Sequence, residues 1–207
     1  MSMPSQYRGS ITREQWLARE VRIVAALMAD DHITNAQQIA EQVHTHNLFQ
    51  YPTERELRSI ARACTRRIES VSSNPALTAR AVELLAHGTQ NQLRQANLYA
   101  MMCDNRLVWE FMVNVVGAKN RHLDRSLRPH EVASYIEGLR AQSKTVNGWS
   151  DATRNKARQV LTKCLVECGL YNRKESQLTP LLIDAELAQI MRANGDEAAL
   201  AAFGQIE

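Results

Sequence analysis

The sequence predicts an all-α protein, compact and built from helix-turn-helix-like units. Three observations carry that prediction. Glycine and proline are scarce, eight and five in 207 residues, and β-branched runs are few, a composition that suits helix interiors better than strands. Apolar residues recur at spacings of three and four along most of the chain. Helix-start patterns precede several of those runs. A short hairpin over residues 171–178 (YNRKESQL), a small wing, is the one candidate for extended structure.

Each element follows from local signals. Thr12 with Gln15, Thr34 with Gln37 and Thr53 with Glu56 form capping-box patterns, in which the hydroxyl accepts from a free backbone N–H and the longer side chain reaches back. After the first comes the stripe Leu17, Val21, Val24 and Met28, closed by Asp30-Asp31. After the second, Ala36, Ile39, Ala40 and Val43 make a short amphipathic helix. After the third comes a longer helix over residues 53–71. Asn74-Pro75 breaks the chain, and helices follow over about residues 76–86, ended by Gly88, and 90–103. Residues 107–116 form the most core-like stretch and stop at Gly117. Residues 119–129 are a polar connector. Pro129 suits a first helical position and opens a helix to about residue 142; residues 143–150 read as a loop. A strong helix spans about residues 152–168 and ends at Gly169. Thr179-Pro180 opens another, and ALAAFGQIE closes the chain. Two regions result, residues 1–73 and residues 74–207, the second holding its own helix-turn-helix and wing candidate.

Bulk composition sets the class. Apolar residues make up 44% and charged residues 23%, as in ordinary globular proteins. No stretch reaches the roughly 18 apolar residues that span a bilayer; LVWEFMVNVVGA (107–118) is too short and carries Glu110 and Asn114. No secretory pattern opens the chain. Cys64, Cys103, Cys164 and Cys168 form no C-x-x-C pair, so reduced thiols in the cytoplasm are the expectation. Cys164 with Cys168, and Glu41 with His44 and His46, read as buried thiols and helix-end histidines ahead of any metal site. No glycine-rich phosphate loop, H-E-x-x-H or nucleophile elbow occurs, so neither an enzyme nor a cofactor is expected.

The functional signal is charge. TERELRSIARACTRRIESV (53–71) holds five arginines in nineteen positions. At about 100° per residue, Arg55, Arg58, Arg62 and Arg66 share one side of the helix, and Leu57, Ile60, Cys64, Ile68 and Val71 share the other. Like charges three and four apart repel, and an anionic polymer relieves that repulsion; the planar guanidinium fork matches phosphate. A short helix followed by a basic helix is the order of a helix-turn-helix, although the connector THNLFQYP is longer than the usual turn. A second basic region lies at residues 119–174, where twelve Lys or Arg face five acids, against a whole-chain charge of +3. In it, Ala157, Leu161, Cys164, Leu165 and Cys168 make an apolar stripe. Lys156, Arg158 and Lys163 lie on the same helix, and Arg173 and Lys174 follow the Gly169 turn, where a wing touches nucleic-acid backbone. Residues 176–207 are acidic. Such segregation is the electrostatic footprint of a nucleic-acid binder.

YRGSITREQWLAREVRIVAALM, RELRSIARACTRRIES and WSDATRNKARQVLTKCLVECGL together resemble the BrxA family of bacteriophage-exclusion (BREX) phage-defence systems. That resemblance implies a small, all-helical cytoplasmic protein of a bacterial defence operon that binds double-stranded DNA through helix-turn-helix elements flanked by positive surface. The DNA contacts expected are Arg55, Arg58, Arg62, Arg66, Lys156, Arg158, Lys163, Arg173 and Lys174. Double-stranded DNA and other BREX subunits are the expected partners, and a monomer the expected state. Two rivals stand beside this reading. One is an adaptor whose arginine face docks an acidic protein. The other is an RNA binder, which the 5% aromatic content disfavours for single strands, since these stack on aromatic platforms.

Overall fold

Helix α1 (Ile11–Glu14) is the first element of the computed structural model, which describes residues 4–205. Among the described residues the chain forms two compact units: Leu17–Asp104 is one, and residues 4–16 join residues 105–205 in the other. The division therefore falls later than the Asn74-Pro75 break. That dipeptide starts a helix instead, with the Asn74 side chain accepting from Ala76 N at 2.9 Å and Pro75 at the first position.

The first unit holds α2 (Ala18–Ala29), α3 (Ala36–Thr45), α4 (Glu54–Glu69), α5 (Pro75–Ala86) and α6 (Gln90–Asp104). Helix α3 packs on α4, and α2 packs on both α4 and α5. The expected stripes face inward: Ile39, Ala40 and Val43 of α3, and Leu57, Ile60, Cys64 and Ile68 of α4, are buried. Each large aliphatic side chain so buried stabilises by about 1.5–3 kcal/mol. Thr53 caps α4 as expected, accepting from Glu56 N at 3.3 Å. The other two capping boxes are replaced. Asn35, one residue beyond Thr34, caps α3 through bonds from Gln37 N and Gln38 N. Thr12 lies inside α1, and α2 starts only after Leu17, whose backbone is left-handed at φ 47°. The long α3–α4 connector is fixed by its own side chains: Phe49 is fully buried, its carbonyl accepts from Arg19, and Tyr51 donates to Glu20 at 3.1 Å.

In the second unit, α7 (Arg106–Glu110) continues through a π-helical stretch, Phe111–Gly117, into α8 (Ala118–Arg121). The expected stop at Gly117 is thus overruled. Gly117 keeps helical φ, and its lack of a side chain lets the backbone of Ala202 approach; a Cβ would sit 3.3 Å from Ala202 N. Then come α9 (Pro129–Gln142), α10 (Lys144–Asn147), α11 (Asp151–Cys168), β1 (Tyr171–Asn172), β2 (Gln177–Leu178), α12 (Ala185–Ala193), α13 (Glu197–Leu200) and a single 3-10 turn, Ala201–Phe203. The span 143–150, read as loop, contains α10. Thr179-Pro180 starts no helix; α12 begins later, where Asp184 accepts from Glu186 N and Leu187 N.

The hairpin is antiparallel, with Tyr171 opposite Leu178 and Asn172 opposite Gln177. Gly169 makes the turn into it at φ 83°, a left-handed conformation that glycine adopts at no steric cost. Residues 125–127 run beside β2: Leu178 N donates to Arg125 O at 2.6 Å and Leu127 N to Ser176 O at 2.9 Å. Tyr171 anchors the same segment, its hydroxyl donating to Leu127 O. The hairpin is therefore held to both α11 and the chain entering α9.

Candidate nucleic-acid interface

The arginine face of α4 is only partly available. Arg55 and Arg62 are exposed, and Arg62 spends one N–H on Gln37 at 3.1 Å. Arg58 is clasped from three sides. Its Nε donates to Glu54 at 2.7 Å, its Nη1 to Glu41 at 2.5 Å, and its Nη2 meets His44 Nδ1 at 3.0 Å. These bonds hold both carboxyls below the usual glutamate range. Arg66 makes a fork-to-fork pair with Asp104, Nε to Oδ1 at 2.8 Å and Nη2 to Oδ2 at 3.0 Å, and the Asp104 side chain is only 5% exposed. The fifth arginine, Arg67, is buried and donates to Asn97 of α6. Of the four arginines on this side of α4, Arg55 and Arg62 are exposed, while Arg58 and Arg66 hold carboxylates of the fold. Glu41 belongs to α3, Glu54 to the first turn of α4 and Asp104 to α6.

The second strip differs. Its apolar stripe is buried: Ala157, Leu161, Cys164, Leu165 and Cys168 all lie in the core of their unit. On the opposite side of α11, Lys163 is exposed and Lys156 half-exposed; Arg158 is half-exposed on a different side, about 140° round the helix from Lys163, and Arg173 and Lys174 are exposed on the hairpin. None of these five makes an ion pair among the described residues, whereas Lys119, Arg140 and Arg154 in the same basic region are paired with carboxylates. Asn172 fixes the hairpin tip, its side chain accepting from Lys174 N at 3.0 Å and Glu175 N at 3.4 Å.

The fold brings Lys156, Lys163 and Arg173 together along one polar groove of about 440 Å³. Gln159 and Thr162 of α11 and Gln15, just after α1, add to the polar lining, with Glu167 the one acid there among the described residues. Arg158 and Lys174 lie outside the lining. Sequence reasoning missed the three neutral residues. An amide or hydroxyl leaves no mark in a charge count, and Gln15 reaches the groove only because α1 packs on α11.

A BrxA family model matches residues 5–195. The chain belongs to the BrxA family. Two curated relatives carry the description "BREX protein BrxA". One, from Bacillus cereus, is 26% identical over 92% of this chain and 92% of its own length. The other, from Escherichia coli, is 23% identical over 82% of this chain and 78% of its own length. The fold recurs in a crystal structure of an uncharacterized protein from Magnetospirillum magneticum, with a TM-score of 0.76 at 22% identity, covering 95% of this chain and 97% of that one. In this BrxA family member, no helix among the described residues is long and apolar enough to cross a membrane, and no group of three or more His, Cys, Asp or Glu there is placed to hold a metal ion.

Proposed function

We propose that the chain is a non-enzymatic, double-stranded-DNA-binding accessory protein of a bacterial BREX phage-defence system, working in the cytoplasm as a monomer beside other BREX subunits. The description shared by its relatives supports the pathway. One observation carries the DNA reading: Lys156, Arg158, Lys163, Arg173 and Lys174 stand on one helix and its hairpin without ion-pair partners among the described residues. A helix that buries one side, presents basic residues on the other and is followed by a basic hairpin has the parts of a winged helix-turn-helix. In this reading α9, which packs on α11, is the supporting helix, α11 enters the groove and the hairpin touches backbone. Unpartnered cations gain by displacing the counterions of a polyanion. Arg55 and Arg62 add contacts from α4, and Arg58 and Arg66 add little while they hold carboxylates.

The test is a titration of a short labelled duplex at about 50 and about 200 mM salt, with duplex RNA as competitor. Binding that weakens steeply with salt and prefers DNA is the expected result; no binding at the lower salt overturns the reading. One observation favours a second reading, an adaptor for an acidic protein: α4 already grips carboxylates at Arg58 and Arg66. That reading predicts recovery of defence subunits after nuclease treatment, with no duplex shift.

A further inference from the structure

We propose that the first unit holds a binding site for a small organic cation with an apolar body, in a groove between the C-terminal end of α2 and the N-terminal half of α5. The groove has a volume of about 510 Å³, within the range of roughly 300–1,000 Å³ that small-molecule sites occupy. Its apolar lining comes from Met28 and Ala29 of α2 and from Pro75, Ala79 and Val82 of α5. Met28 belongs to the periodic stripe of α2, yet it is only half-buried, because the groove opens at that end.

Charge decides the class of ligand. Two carboxylates, Glu69 at the end of α4 and Glu83 of α5, line the same groove. Neither makes a side-chain hydrogen bond or ion pair among the described residues, and burial pushes the Glu69 carboxyl up. Both carboxylates are exposed, and a cation lying on the apolar lining between them is attracted by both. Nearby bases are engaged elsewhere: His87 meets Asp30 at 3.0 Å, and Arg22 donates to the carbonyl of Gly88 at 2.7 Å. Among the described residues, His32 is the only base that lines the groove. Apolar surface and two exposed carboxylates thus coincide, and an alkylammonium satisfies both: the chain covers Met28, Ala79 and Val82, and the cation meets Glu69 and Glu83. An apolar acid would bring a like charge to both carboxylates.

The experiment compares hexylammonium, hexanol and hexanoate at about pH 8. It follows the Met28 methyl resonance of the full chain by NMR, with affinities from the titration. Hexylammonium should bind at least about tenfold more tightly than hexanoate, with hexanol between them. Glu69→Gln with Glu83→Gln should bring all three to similar affinity. Ala79→Trp, a substitution at an exposed position, should fill the groove and abolish all three. Equal affinity for ammonium and carboxylate in the native chain, absence of binding by hexylammonium, or undiminished binding by an Ala79→Trp variant of native thermal stability would each overturn the proposal. Duplex binding plays no part in these readouts, so the outcome stands apart from the DNA reading.

Discussion

Replacing Arg66 by alanine should damage the fold far more than any contact with nucleic acid. The Asp104 side chain is 5% exposed and takes two bonds from Arg66, whose own side chain is 33% exposed. Removing one partner of a fully buried pair costs about 3–5 kcal/mol, because the remaining charge stays in a poor solvent. Water reaching the site through the exposed third of Arg66 lowers that to about 2–3 kcal/mol. For a chain of this length each kcal/mol moves the thermal midpoint by about 2–4 °C, so a fall of about 4–12 °C is expected. Arg62→Ala is the control. It deletes one exposed charge and a single bond to Gln37 and should stay within about 0.5 kcal/mol of the parent. Thermal unfolding followed by circular dichroism, beside duplex binding well below the midpoint, separates the two effects. If Arg66→Ala melts with the parent yet loses duplex affinity, Arg66 faces a ligand in solution and the structural role assigned to it is wrong.

Other perturbations follow from particular bonds. Glu41 and Glu54 titrate lower in the folded chain than the 4.5 of unfolded glutamate; their contribution to stability is complete above that pH and fades as pH drops through the folded values. A Glu41→Gln, Glu54→Gln variant should therefore show a weaker pH dependence of stability between about pH 5 and 3, and acid titration curves that superimpose on the parent's would refute the pairing. Gly169→Ala meets no neighbouring atom within 4 Å but forces a left-handed backbone, φ 83°, on a residue with a Cβ. A loss of about 1–2 kcal/mol in denaturant unfolding is expected, and an unchanged midpoint contradicts the turn geometry. Thr53→Ala removes the cap of α4 and should cost about 1 kcal/mol, checked by the same unfolding curve.

Most helices could be read from the chain because their signals are local. The stripe Leu57, Ile60, Cys64 and Ile68, the Asn74-Pro75 start, and the Gly169 stop into a hairpin each depend on neighbours a few residues away, and each appears where periodicity places it. The fate of the arginines depended on distant partners. Glu41 lies 17 residues from Arg58, and Asp104 lies 38 residues from Arg66; helical phase alone shows which way a guanidinium leaves its helix and says nothing of what waits there. The division of the chain was hidden for the same reason. Its opening segment returns to the second unit through pairings such as Arg106 N to Gln6 O at 3.0 Å and Asn105 with Arg8. Thr179-Pro180 misled because a plausible start signal had no packed apolar face directly behind it; Leu182 is 94% exposed.

The salt dependence of duplex affinity in a Lys156→Ala, Lys163→Ala, Arg173→Ala variant tests the DNA reading most directly. Each phosphate contact contributes about 0.9 to the slope of log affinity against log salt. With five contacts on α11 and its hairpin and two more from Arg55 and Arg62, the parent should weaken about 6,000-fold between about 50 and 200 mM salt, and the triple variant, with four contacts left, only about 150-fold. A variant that melts like the parent and keeps the parent's slope would contradict the assignment of the phosphate track to this strip.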